Sequence, residues 1–378
     1  MLALCPSRVL GPAGFETERC VTIENGRVTG LLPLGDCPSS VRKELLEGDL
    51  VPGFIDLQVN GGGGVLFNDD PTIEGIETIG RAHRMFGTTG FLVTLISDEL
   101  EVVDKGMRAV EGAIAKGVPG VLGIHIEGPF INADMRGIHD ERKIRKIDEE
   151  AVELLSSLST GVSMVTLAPE LVPETFIETL VARGVIVAAG HTAASYDEAR
   201  NALGLGLSGF THLFNAMSQM SGRAPGVVGA ALDSDAWCGI IVDGFHVNPA
   251  SLRVALAAKG RDNLVLVTDA MPTVGSNQTE FMLGDRLIRL KNGRCVAKDG
   301  TLAGSNLDMA KAVANAKDQL RIDLDVAICL ATRNPARVVG LAGVTGAIRP
   351  GLRADLVLLS PGGIAARTWI SGIDVSQS

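Results

Sequence analysis

The chain has 378 residues, a formal net charge of −10 and a pI near 5.2, with 46% hydrophobic residues. That acidity excludes nucleic acid or an anionic membrane as the main partner, although an anionic small substrate needs only a local basic spot. The length fits one large domain plus a small one, or two comparable domains.

The first ten residues carry Pro6 and Arg8, which interrupt any signal-peptide core, and no apolar run approaches the roughly 20 residues that span a bilayer. The cysteines (Cys5, Cys20, Cys37, Cys238, Cys295, Cys329) are scattered and form no CxxC pair. They are expected to be reduced thiols of a cytoplasmic protein. Up to about residue 50, short β-like pieces (Arg19–Ile23, Arg27–Leu32) alternate with turn signals such as Glu24-Asn25-Gly26, the texture of antiparallel hairpins. A similar texture returns in 346–360. The expectation is one small β domain built from 1–50 and 345–378, around a larger domain spanning 51–344.

The middle of the chain alternates apolar strand-like runs with amphipathic helical stretches. Strands are predicted at 51–59, 90–96, 121–126, 162–167, 185–189, 209–213, 238–242 and 264–268. Helices are predicted at 73–86, 99–116, 149–158, 173–183, 196–203 and 249–259. Eight βα units in this length predict an α/β protein with a closed (β/α)8 barrel of the TIM type. A doubly wound open sheet is the competing architecture, but it would gather polar residues at one switch point. A hairpin insertion is expected at 281–296, followed by helices at 307–319 and 324–339.

Active sites of such barrels lie at the C-terminal ends of the strands. Those ends carry Glu127 after strand three, His191 after strand five and His212 at strand six. Asp243 and His246 follow strand seven, and Asp269 follows strand eight. His125 lies one pleat before Glu127, His139 sits in the loop beyond it, and His83 falls on a helix and reads as structural. Six ionisable groups at one poorly solvated mouth are hard to explain by packing, since each would need its own partner. A metal removes the difficulty, because Glu127, His191 and His212 offer one oxygen and two nitrogens, the open arrangement of a catalytic zinc site. Asp269 opposite the ion is suited to carry a proton between water and a leaving group. The chemistry implied is metal-assisted hydrolysis of a carbonyl compound. Gly61–Gly64 lacks the Lys-Ser/Thr of a P-loop and reads as a flexible loop. Arg223, in the polar loop 218–226, either grips a substrate anion or is an ordinary surface arginine.

The stretches PGFIDLQVNGGGG (52–64), HIEGPF (125–130), RGIHD (136–140), AGHTAAS (189–195), THLFNAMSQMSGRAPG (211–226), VDGFHV (242–247), LVTDAM (266–271), LAGS (302–305) and TRNPA (332–336) together resemble the amidohydrolase superfamily. More closely, they resemble its N-acetylglucosamine-6-phosphate deacetylase family. The resemblance runs in order over nearly the whole chain, and it implies a catalytic (β/α)8 barrel over 51–344 flanked by a small β-sandwich from 1–50 and 345–378. It implies an enzyme that hydrolyses the linear amide of N-acetylglucosamine 6-phosphate, with N-acetylgalactosamine 6-phosphate as the alternative. It implies one divalent metal ion per subunit (zinc first, with iron, manganese or cobalt as alternatives) on Glu127, His191 and His212. Asp269 matches the catalytic acid/base and His139 the histidine at the acetamido carbonyl. Ile138, Asn215, Ala216, Arg223, His246, Leu302, Ala303 and Gly304 match substrate-binding positions, Arg223 at the phosphate. The resemblance also implies a homodimer or a homotetramer. One departure stands out: where many superfamily members hold a second metal with His-x-His, this chain has Gln58-Val59-Asn60, and amides bind zinc far less readily than imidazoles. A single ion is therefore expected. An N-acyl-amino-acid deacylase and a catalytically silent barrel are the more distant rivals.

Overall fold

The computed structural model describes residues 1–376; Gln377 and Ser378, the end of the predicted 345–378 segment, lie outside the described residues. Eight parallel strands run in sequence order through one sheet: Phe54–Val59, Thr88–Ile96, Val121–Glu127, Val162–Leu167, Ile186–Ala189, Gly209–Phe210, Trp237–Ile240 and Leu264–Leu266. They are numbered one to eight below. Strand eight returns to strand one through main-chain bonds just past its end: Asp269 N–H donates to Gln58 O (3.0 Å) and Asn60 N–H to Ala270 O (3.0 Å). Inside this seam the buried Asp56 accepts from the Thr268 hydroxyl and from the Gln58 and Thr268 amides. The result is the expected (β/α)8 barrel. Its strands are buried on both faces because helices cover the outside and side chains fill the inside.

Helices follow the amphipathic pattern closely, including Ile73–Arg84, Leu100–Ala115, Glu174–Ala182 and Pro249–Lys259. The helix Tyr196–Gly204 starts at a capping box between Ser195 and Glu198, which pins the chain just after His191. Three expectations need correction. The predicted strand 51–59 is two strands, Arg42–Pro52 and Phe54–Val59, in different sheets. The break falls at Gly53, where a Cβ would lie 2.1 Å from Thr89 Oγ1, so only glycine lets the chain pass the start of strand two. Residues 226–232, not predicted as helix, form one. The predicted helix 324–339 is broken into Leu324–Ala331 and Arg333–Val338; Pro335 lacks an N–H and its ring crowds the carbonyl of Ala331.

Strands from both chain ends share a second sheet. Its path runs Ile373–Asp374, Ala365–Ile370, Leu356–Leu359, Arg42–Pro52, Leu2–Gly11, Arg19–Glu24, Arg27–Pro33, with Gly14–Glu16 pairing with Leu2–Gly11. Its faces bury separate clusters, one with Leu4, Val21, Leu50, Leu356 and Trp369, the other with Ala3, Cys5, Cys20 and Cys37. The hairpin insertion is a three-stranded sheet, Glu280–Leu283, Arg286–Lys291 and Arg294–Val296. Among the described residues no helix is long and apolar enough to cross a membrane.

Candidate metal centre and substrate cavity

Glu127 ends strand three, and its carboxylate is 2% exposed. Strand five ends at Ala189 and strand six at Phe210, so His191 and His212 stand two residues beyond each; strand six is shorter than predicted, and His212 lies in the turn that follows it. His191, His212 and Asp269 have φ values of +49°, +33° and +52°. This left-handed backbone is uncommon for residues with a Cβ and costs of order 1–3 kcal/mol each. It turns the chain sharply at each strand end, where a straight strand would carry on past the mouth. Phe214 and Ala216, in the loop beyond His212, also have positive φ.

These turns bring three ligand atoms together. His191 Nε2 lies 3.1 Å and His212 Nε2 2.8 Å from Glu127 Oε1, and the two nitrogens are 3.1 Å apart. His191 Nδ1 lies 2.9 Å from Met135 O. A carbonyl only accepts, so Nδ1 carries the proton and, in the neutral ring, Nε2 turns a lone pair toward the carboxylate. Two lone pairs at that distance repel, and a cation between or beside them would relieve the repulsion. One carboxylate oxygen and two imidazole nitrogens form the donor set that a divalent ion such as zinc takes. Glu127, His139 and His191 also bring ligand atoms within 4.8 Å of one another, so a second triad is available on distance alone. Burial would raise the Glu127 carboxyl, but the two imidazoles of His191 and His212 against it outweigh that and hold it well below the usual range.

Gln58 and Asn60 face this cluster from strand one and the residue after it. Gln58 Nε2 donates to Glu127 Oε2 (3.0 Å) and Asp269 Oδ1 (3.2 Å), and Asn60 Nδ2 donates to Asp269 Oδ1 at 2.6 Å. Both amides thus act as donors to the carboxylates. Burial, and then the nearby Glu127 charge, push Asp269 up to about 6. Burial also lowers His125 to about 4; its ring, one layer below Glu127, meets the Thr166 hydroxyl at 2.7 Å. His83 is buried beside the Gly61 carbonyl (2.9 Å), away from the cluster.

A cavity of about 240 Å³ opens over the cluster, lined by Ile96, Ile138, His139, Asn215, Ala216, His246, Met271, Leu302 and Gly304 among others. His246 Nδ1 donates to Asp243 Oδ2 at 2.7 Å, which aims the ring. Ala303 is buried behind the wall, its N–H bonded to Cys295 O. Arg223 is exposed and absent from the lining. A neighbouring space of about 550 Å³ shares Ile96, Gly137, Ile138, His139 and Thr301 with this cavity.

Pattern reading missed several residues here: Ser97, which meets His139; Met271 and Ile96 in the wall; and Glu170. Glu170 accepts from Asn132 Nδ2, Thr192 Oγ1 and Ala193 N at 2.5–2.9 Å and so clamps the loop that carries His191. Only the APE run (168–170) beyond strand four hinted at it.

An eight-stranded parallel barrel with a carboxylate and imidazoles converging at its C-terminal mouth defines the class of metal-dependent barrel hydrolases. The chain belongs to the amidohydrolase family, whose sequence model matches residues 50–373. It is 43% identical over 95% of its length to an N-acetylgalactosamine-6-phosphate deacetylase of Shewanella sp. (strain ANA-3), covering 92% of that protein. The crystal structure of N-acetylglucosamine-6-phosphate deacetylase from Pasteurella multocida is 33% identical with a TM-score of 0.95, covering 98% of both chains. A mutant of the Mycobacterium smegmatis N-acetyl-D-glucosamine-6-phosphate deacetylase, solved in complex with N-acetyl-D-glucosamine-6-phosphate, is 30% identical with a TM-score of 0.92 over 99% of both chains.

Proposed function

We propose that this chain hydrolyses the N-acetyl group of N-acetylglucosamine 6-phosphate to acetate and glucosamine 6-phosphate, in amino-sugar breakdown. The observation that carries the reading is Asp269, half-buried and sharing the Gln58 amide with Glu127, beside the Glu127–His191–His212 cluster in the lining of one small cavity. Glu127, His191 and His212 would hold one divalent ion, zinc first; Gln58 and Asn60 are spent as donors to carboxylates and would not ligate a second. Such an ion supplies Lewis acidity that brings a water's pKa to about 7 and polarises an amide carbonyl.

The chain's own residues do the rest. Asp269 Oδ1 is held by Asn60 and Gln58, so Oδ2 takes the proton of the attacking water and passes it to the amide nitrogen as the C–N bond breaks. Acetate keeps the water's oxygen, and the sugar leaves as the amine. His139, in the cavity wall, donates to the carbonyl oxygen as negative charge builds there. Ile138, Asn215, Ala216, His246 and the segment Leu302-Ala303-Gly304 hold the sugar. Arg223 answers the phosphate, and its exposed place in a single chain fits a homodimer or homotetramer. Six free cysteines support a cytoplasmic setting.

N-acetylgalactosamine 6-phosphate is the second reading, favoured by the Shewanella relative. Acetate release from both epimers, with metal quantified in the same sample, tests the proposal. Faster turnover of the galacto epimer would exchange the two readings. No release from either by zinc-loaded protein would refute both.

A further inference from the structure

His139 is the third imidazole at the cluster, its ring centroid 4.3 Å from that of His191. On distance alone it competes with His212 to be a metal ligand. The question turns on which ring nitrogen carries the proton. His139 Nδ1 faces Ser97, the first residue after strand two, and receives its backbone N–H at 3.3 Å. The Ser97 hydroxyl oxygen lies 2.7 Å from the same nitrogen. A hydroxyl can donate or accept, but a backbone N–H can only donate. A proton on Nδ1 would point into that donor, so Nδ1 must present its lone pair, and in the neutral ring the proton sits on Nε2. A protonated Nε2 cannot bind a metal, yet it is a ready donor toward the cavity. His191 has the opposite arrangement: its Nδ1–H donates to Met135 O, which frees Nε2 as a ligand.

We propose that Ser97 is a positioning residue: it holds His139 as the Nε2–H tautomer, so that His139 donates to the substrate carbonyl and His212 takes the third ligand position. The inference rests on the deacetylase reading for the identity of that carbonyl. The surroundings fit the role. Ser97 and His139 are both buried, at 5% and 4% exposure, so water does not compete for Nδ1. A Cβ on Gly128 would lie 2.2 Å from Ser97 Oγ. The glycine of the Glu127-Gly128-Pro129 turn therefore leaves the room that the hydroxyl occupies, and one short loop sets both a metal ligand and its neighbouring donor.

The direct test is ring 15N NMR of zinc-loaded and zinc-free protein labelled at its six histidines, with His139→Gln used to assign the His139 signals. The expected result is a protonated Nε2 and an unprotonated Nδ1 in both samples. A protonated Nδ1, or a zinc-ligand shift at Nε2, overturns the proposal. In kinetics, Ser97→Ala keeps the weaker backbone contact and loses the hydroxyl, so kcat should fall about tenfold with KM little changed. Ser97→Thr, which keeps both donors, should restore it. Wild-type kcat in Ser97→Ala, or no restoration in Ser97→Thr, argues against Ser97. The NMR result on wild-type protein decides even if a variant fails to fold. It is independent of turnover, so failure of the deacetylase reading is seen separately, as absence of acetate release.

Discussion

Asp269→Asn is the sharpest test of the proposed proton path. Asn60 Nδ2 and Gln58 Nε2 both donate to Asp269 Oδ1. An asparagine can place its carbonyl oxygen there and keep both bonds, so the fold and the ion should stay. What it cannot do is accept a proton at the other position. General acid–base catalysis contributes roughly 10²–10⁴ in rate, or about 3–6 kcal/mol of barrier at ~1.4 kcal/mol per decade. A kcat lower by that factor is expected, with metal content unchanged. Stability should not fall, because the burial and the Glu127 charge that push Asp269 up to about 6 penalise the ionised carboxylate at neutral pH. Acetate release, metal analysis and a melting curve on one preparation measure all three. Turnover near wild type, or loss of the ion along with activity, would refute the assignment.

Other consequences follow from the same contacts. Glu127→Gln removes the one negative ligand within 3.1 Å of both imidazoles, so metal per subunit and activity should fall together; a fully metal-loaded variant would contradict the ligand set. Gly128→Ala combines a Cβ 2.2 Å from Ser97 Oγ with a φ of +87°. It should cost about 1–3 kcal/mol of stability and lower kcat, measured by denaturant melts and initial rates. Asp56 is pushed up to about 7 by burial, against an ordinary value of 3.8. The folded chain thus keeps a proton that the unfolded chain has released, and stability present in full below 3.8 is lost as pH rises toward 7. Asp56→Asn should flatten melting temperature across that window; an unchanged slope would show that Asp56 is not the group responsible.

The alternation of apolar runs and amphipathic helices determined the barrel, because strand and helix periods are local and a buried parallel strand has little choice of composition. The metal and acid/base candidates were legible for a related reason: Glu127, His191, His212 and Asp269 are charged or titratable residues at or just beyond the ends of apolar runs, where each is an anomaly. Only the tertiary structure decided what surrounds them. Gln58 reads in sequence as a lost ligand, and becomes a donor to Glu127 and Asp269, 69 and 211 residues away, only when strand eight closes on strand one. Ser97 carries no motif at all, and its meeting with His139 depends on the loop after strand three folding over the end of strand two. Arg223 is plain in the sequence as a basic residue in a polar loop, yet it stands away from the cavity wall. Residue type and strand position are local properties that the chain carries with it. Hydrogen-bond direction and tautomer belong to pairs of residues, and those pairs exist only once the barrel has brought distant strand ends together.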